Sequence, residues 1–152
     1  MPEYEVRVWI DVLAARTALK TLAGKLGFQP RETTELAIVA SELGSNIIKY
    51  GRHGHLTFQP LQQFGAVCEG VRVVARDYGP PFHDLAIALQ DGCDDRGPID
   101  PIQLLHRKGI GGGLGAVLRM THSFAVQPLP DGKQIVVERY LKAPRGSRPL
   151  SP

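Results

Sequence analysis

The sequence is poor in cysteine, in aromatic residues and in long apolar runs. Its 152 residues include two cysteines, Cys68 and Cys93, with no metal-ligand spacing around them, so we expect free thiols rather than a disulfide or a zinc site. No apolar run is long enough to span a membrane, and the N-terminus MPEYEVRVW lacks the charged-then-apolar layout of a signal peptide. These absences predict a cytoplasmic protein without a membrane partner.

The sequence also lacks a distributed excess of positive charge. Its formal net charge is +3, from 18 basic and 15 acidic residues. Segment 142–152 contains three basic residues (Lys142, Arg145 and Arg148) and no acidic one, which leaves 15 basic against 15 acidic residues in 1–141. We therefore expect one folded, neutral domain over residues 1–141 and a disordered basic tail over 142–152. A neutral domain argues against nucleic acid as a partner.

Apolar periodicity and turn residues predict an α+β domain. The first half is predicted to contain a strand Tyr4–Val8, a helix from an Asp11 cap to Leu26 ended by Gly27, and a helix Glu35–Tyr50 capped by Thr33 or Thr34. Two strands follow, His55–Gln59 and Val71–Arg76, and then a short helix within Phe82–Gln90 and a helical turn within Pro101–His106. The last predicted elements are a helix Ala116–Met120 and a hairpin of Ser123–Gln127 with Gln134–Tyr140. Helices grouped beside mostly antiparallel strands predict a two-layer α/β sandwich with the helices on one face of the sheet.

The helix ELAIVASELGSNIIKY carries the first candidate site residues. Apolar residues recur at steps of three and four, and Glu42 and Asn46 lie beside that stripe, one helical turn apart. A carboxylate can accept a proton, and an amide oxygen can bind Mg²⁺. The alternative for this common spacing is a pair of solvated polar residues. Gly44 costs the helix about 1 kcal/mol relative to Ala, which indicates either a close neighbour or simple tolerance.

Two further segments carry chemistry. Asp77 and Gly79 follow the strand Val71–Arg76, where a carboxylate can accept a hydrogen bond from an exocyclic amine, although an aspartate also commonly begins a turn. The run Gly109-Ile110-Gly111-Gly112-Gly113-Leu114-Gly115 opens a helix and leaves backbone N–H groups accessible to phosphate. It lacks the lysine of a Walker loop, and a flexible hinge is the alternative.

The three segments together resemble the GHKL ATPase superfamily. E-x-x-x-N on a helix, D-x-G after a strand and G-x-G-x-G before a helix occur here in that order. More narrowly, the stretches ELAIVASELGSNIIKYG, VVARDYGPPFHDLAIALQDG and GIGGGLGAVLRM resemble the RsbT-type serine/threonine kinases of bacterial partner switching. The resemblance covers nearly the whole chain except the tail, and it implies a sandwich of the Bergerat ATP-binding type.

The resemblance also implies roles for residues, with ATP and Mg²⁺ as cofactors. Glu42 would be the general base, Asn46 the Mg²⁺ ligand, and Asp77 the residue that binds the adenine amine, with Gly79 against the ring. The phosphates would lie along a segment before and within the next helix, beneath a lid formed by Asp91–Lys108. The residues assigned to that segment are Lys108, Gly109, Gly111, Gly113, Leu114 and Gly115.

The implied function is phosphorylation of a serine or threonine in a STAS-domain protein, followed by activation of a PP2C-type phosphatase in stress or sigma-factor regulation. Two alternatives are an anti-sigma kinase of RsbW type that binds a sigma factor, and a nucleotide-dependent binding module with little catalysis. A homodimer is also left open. The chain departs from the family in two features, Pro81 in place of a second glycine and a longer lid with the insertion RGPIDPIQLLHRK. Because proline fixes φ and has no N–H, that turn must be built differently.

Overall fold

The structure, a computed structural model, describes residues 2–62, 69–82, 85–89, 93–94, 97–98, 113–143 and 148–150. In chain order the elements are β1 (Glu3–Val6), α1 (Trp9–Leu26), α2 (Pro30–Tyr50), β2 (Gly54–Leu61), β3 (Gly70–Asp77), α3 (Leu85–Ala88), β4 (Cys93–Asp94), β5 (Gly97–Pro98), α4 (Gly113–Arg119), β6 (Ser123–Leu129) and β7 (Gly132–Tyr140). The helical turn predicted within Pro101–His106 lies outside the described residues.

Five of the described strands form one antiparallel sheet in the order β1-β2-β3-β7-β6. α1, α2 and α4 pack against this sheet, and α1 and α2 also pack closely against each other. The predicted two-layer α+β sandwich is therefore confirmed, as is the hairpin β6–β7 around Pro130, Asp131 and Gly132. None of the described helices is long and apolar enough to cross a membrane.

The core lies between the helices and one face of the sheet. α1 and α2 contribute the predicted apolar stripes, and alternate residues of β3 and β7 point toward them. Its buried apolar members include Val12, Ala15, Leu19, Leu36, Val39, Ala40, Leu43, Ile47, Val71, Val73, Ala75, Ile135 and Val137. The period of 3.6 in the helices and of 2 in the strands accounts for this arrangement.

Gly44 lies where α2 packs directly against Val12 of α1. A Cβ atom at this position would stand 2.7 and 2.8 Å from the two methyl groups of Val12, which is fully buried. The cost of glycine within α2 is therefore accounted for by a close neighbour, the first of the two interpretations that the sequence left open. Gly27 ends α1 as predicted, with φ of 103°.

The predicted helix caps were wrong, since both helices begin earlier than expected. α1 begins at Trp9, and Asp11 lies within its first turn, where its carboxylate accepts hydrogen bonds from the N–H groups of Arg7 and Val8 at 2.9 and 3.0 Å. α2 begins at Pro30, and the cap is Gln29, whose N–H donates to Glu32. Proline is favoured at the first helical position because no N–H is needed there.

The two threonines predicted as caps lie inside α2 instead. Thr33 and Thr34 donate their hydroxyls to the carbonyl of Pro30 at 2.8 and 3.0 Å. At the other end of the chain, Arg148 of the predicted tail donates to the carbonyl of Thr121. The extent of order in segment 142–152 stays a prediction.

Candidate functional site

α2 positions Glu42 and Asn46 at the edge of the core rather than on a solvated face. Glu42 is 1% exposed and Asn46 is half-buried. The amide oxygen Oδ1 of Asn46 is buried and accepts no hydrogen bond from the residues that the structure describes. A buried acceptor without a donor costs about 1–3 kcal/mol. Such a group is expected where a ligand or ion completes its coordination.

Asp77, the last residue of β3, lies beside the C-terminal end of α2. The N–H of Gly79 donates to Asp77 Oδ1 at 2.9 Å, and Asp77 is 2% exposed. A Cβ at Gly51 would lie 2.6 Å from that of Asp77, and one at Gly79 would lie 2.4 Å from the carbonyl oxygen of Tyr50. Glycine at 51 and 79 therefore allows the turn to contact α2. This close packing gives Gly79 a structural role that the sequence pattern did not reveal.

Lys133 is the site residue that sequence reasoning missed. It lies directly opposite Asp77 in the β3–β7 register, and its ammonium nitrogen is 3.1 Å from Asp77 Oδ1. The ammonium also donates to the carbonyl of Pro80 at 2.8 Å and lies 5.0 Å from the ring centre of Phe82. Strand alternation contained a signal, since Lys133 precedes the buried residues Ile135 and Val137 in steps of two.

The contact with Pro80 shows how the turn is built without a second glycine at 81. Lys133 joins the carboxylate before the turn to a carbonyl within it, so a side chain from β7 fixes the path of Pro80 and Pro81. Neither contact of Lys133 needs an N–H at residue 81, so the arrangement is compatible with proline there.

The glycine run is only partly described. Gly113, Leu114 and Gly115 form the buried first turn of α4, which packs against α2. Lys108, Gly109 and Gly111 lie outside the described residues, as does most of the expected lid Asp91–Lys108. In the described part, α2 therefore contacts both the turn after β3 and α4.

Comparison with known proteins relates most of the chain to one family. The family described as "Histidine kinase-like ATPase domain" matches residues 10–138 of the chain. The chain is also 26% identical over 133 residues to the serine/threonine-protein kinase RsbT of Bacillus subtilis (strain 168). That alignment covers 87% of this chain and 90% of the relative. Both matches therefore take in most of the folded domain.

Proposed function

Because the chain belongs to the histidine kinase-like ATPase family, we propose that it is an ATP-dependent serine/threonine protein kinase of the RsbT type. The observation that carries this proposal is the buried amide oxygen of Asn46, which has no donor among the described residues and lies one helical turn from buried Glu42. A cation ligand beside a proton acceptor is what phosphoryl transfer to a hydroxyl requires.

Asn46 is the proposed Mg²⁺ ligand. Its Oδ1 is an uncharged oxygen of the kind that Mg²⁺ accepts, and it is buried without a hydrogen bond from the described residues. No cluster of three or more His, Cys, Asp or Glu in the described part of the chain could bind a metal ion. A magnesium ion at Asn46 would also bind phosphate and water, as Mg²⁺ commonly does in proteins, and it would neutralise phosphate charge.

Glu42 is the proposed general base. Its carboxylate is 1% exposed, so a substrate hydroxyl that reaches it leaves bulk water. Because little water surrounds this carboxylate, solvent weakens its attraction for the proton of the hydroxyl only a little. Asp77 is the proposed acceptor for the adenine amine, and Gly113, Leu114 and Gly115, with Lys108, Gly109 and Gly111 before them, are proposed to line the phosphates.

The proposed protein substrate is a STAS-domain regulator, and the proposed output is exchange of partners, including a PP2C-type phosphatase. The support is the similarity to RsbT across 87% of this chain. The two alternatives, an anti-sigma kinase of RsbW type and a binding module with little catalysis, share the nucleotide site. They differ from the proposed kinase in what accompanies nucleotide binding. The first would bind a sigma factor, and the second would transfer little phosphate.

The first test is calorimetric binding of ADP and of a non-hydrolysable ATP analogue with and without Mg²⁺. We expect binding that Mg²⁺ strengthens in the wild type, and a loss of that strengthening in Asn46→Ala. Thr34→Ala, an exposed position early in α2, is the matched control. Folded protein that binds neither nucleotide at millimolar concentration would overturn the proposal.

The second test separates binding from catalysis. Glu42→Gln preserves the size of the side chain and removes the base, so we expect nucleotide affinity to be retained and phosphoryl transfer to fall by about 10²-fold or more. The measurement is transfer of radiolabelled phosphate to a STAS-domain protein from the same genome. Nucleotide binding without transfer to any such protein by the wild type would favour the binding module.

A further inference from the structure

The pair formed by Lys133 and Asp77 lies at the position proposed above for the adenine ring. Their side chains are 2% and 3% exposed, and their charged atoms are 3.1 Å apart. Lysine is almost never fully buried unless it is paired, because the ammonium loses its hydration. A buried pair of this kind therefore indicates a specific role more strongly than a surface ion pair would.

The hydrogen bonds of the pair leave one acceptor and one donor side by side. Both hydrogen bonds that Asp77 accepts in the described structure, from Gly79 N–H and from Lys133, go to Oδ1. The Lys133 ammonium has three N–H groups, and two of them serve Asp77 and the carbonyl of Pro80. Among the described residues, Asp77 Oδ2 and the third N–H of Lys133 thus make no hydrogen bond, although they belong to neighbouring groups.

An adenine ring presents the complementary groups. Its exocyclic amine donates, and the ring nitrogens N1 and N7 on either side of that amine accept. A ring whose amine reaches the carboxylate of Asp77 necessarily approaches the ammonium 3.1 Å from that carboxylate.

We propose that Lys133 determines base specificity by donating a hydrogen bond to a ring nitrogen beside the adenine amine. The site then reads adenine through an acceptor from β3 and a charged donor from β7. Phe82, 5.0 Å from the ammonium, is an apolar neighbour that strengthens such a bond by excluding water. This inference rests on the proposed nucleotide-binding function, and it concerns a residue outside the motifs that led to that function.

The test compares ADP with three analogues by calorimetry on the full chain. Purine riboside diphosphate lacks the amine, 1-deaza-ADP lacks N1 and 7-deaza-ADP lacks N7. We expect wild type to bind one of the deaza analogues about tenfold more weakly than ADP, since a bond to a charged donor is lost. We expect Lys133→Met to bind that analogue and ADP equally. Lys142→Met, at an exposed lysine just after β7, should behave as the wild type does.

A second measurement needs no substitution, in case Lys133→Met does not fold. At saturation, the ammonium NMR signal of Lys133 in wild type should shift more with ADP than with the deaza analogue that binds weakly. Equal affinity for ADP and both deaza analogues, or a loss that persists in Lys133→Met, would overturn the role of Lys133. If ADP binds and purine riboside diphosphate binds more weakly, the nucleotide site itself survives that result. Absence of all binding would overturn both proposals.

Discussion

The two ends of the candidate site differ in how their buried oxygen atoms are satisfied. At one end, Asn46 Oδ1 is buried and accepts no hydrogen bond from the described residues. At the other end, Asp77 Oδ1 accepts two, from Gly79 N–H at 2.9 Å and from the Lys133 ammonium at 3.1 Å. Within the described residues the fold thus satisfies Asp77 Oδ1, whereas Asn46 Oδ1 has no donor.

Because of this difference, substitutions at the two ends of the candidate site should affect stability differently. A buried, hydrogen-bonded ion pair is expected to be part of the folded framework, and removal of one partner is costly. A buried acceptor without a donor is a cost already present in the folded state. Substitutions at the two ends should therefore change the free energy of unfolding in opposite directions while both weaken nucleotide binding.

The largest expected effect is that of Lys133→Met. The substitution leaves the carboxylate of Asp77 buried without its cation, and we expect a loss of about 3–5 kcal/mol in the free energy of unfolding. The double variant Asp77→Asn with Lys133→Met removes both charges and should recover part of that loss. Urea unfolding of the wild type, both single variants and the double variant gives the coupling energy. Additive effects of the two substitutions would contradict an interacting pair.

The next effect concerns the position of α2, on which both ends depend. Gly44→Ala would place a Cβ 2.7 Å from a methyl of fully buried Val12, whose branched side chain has little freedom to move. Overpacking costs about 1–3 kcal/mol and the gain in helix propensity offsets about 1, so we expect a net loss in the free energy of unfolding, measured in urea.

Gly24→Ala is the matched control for Gly44→Ala. Gly24 also lies in a helix, but a Cβ there would meet nothing within 4 Å. We expect a gain of about 0.5–1 kcal/mol in the free energy of unfolding at this position. If both substitutions stabilise the protein, then α1 and α2 separate easily and α2 does not rigidly fix the site.

A smaller effect of opposite sign is expected for Asn46→Leu. The substitution removes a buried oxygen that has no donor among the described residues, and it keeps a side chain of similar size. We expect the free energy of unfolding without nucleotide to stay level or rise by about 1 kcal/mol, and the stabilisation by ADP with Mg²⁺ to be lost. Thermal unfolding with and without ADP and Mg²⁺ measures both. A large loss of stability without ligand would mean that Asn46 is a structural residue.

The sequence was sufficient for the motifs and the layers because both depend on local patterns. The apolar period of α2 placed Glu42 and Asn46 beside the core stripe, the alternation in Val71–Arg76 predicted β3, and the turn residues Pro130, Asp131 and Gly132 predicted the hairpin that contains β7. The caps were less predictable. Asp11 and Thr33 are good cap residues by type, but Pro30 and the Gln29–Glu32 hydrogen bond begin α2 a turn earlier.

Lys133 could not be assigned from local pattern alone, since its partner is distant in sequence. Its role depends on the register between β3 and β7, which sets it opposite Asp77. Arg139 is a second inward-pointing charge on β7, and it pairs with Glu32 and Glu35 of α2 at 3.7 and 3.5 Å. For both residues, the sequence shows a charged side chain at a strand position that is expected to be buried. It does not show which distant residue pairs with that charge.

The smallest expected effect is a pH dependence remote from Asn46 and Asp77. His122 is buried, its Nδ1 accepts a hydrogen bond from Tyr140 N–H at 3.0 Å, and its ring stacks on that of Tyr140. Burial lowers the pKa of His122 below its ordinary value of 6.5, and the positive charges of Arg139 and Arg148 lower it further, against a smaller opposite effect of Glu32.

A folded-state pKa below the unfolded value means that the unfolded chain binds the proton first as the pH falls. The contribution of His122 to stability is therefore fully present above pH 6.5 and is lost as the pH falls toward the folded-state pKa. His122→Asn keeps an acceptor for Tyr140 N–H and does not titrate. We expect the free energy of unfolding of wild type to fall more steeply than that of His122→Asn on going from pH 7.5 to about 5.5. Parallel curves would show that His122 takes up its proton equally in the folded and unfolded chain, because every other titrating group is common to the two proteins.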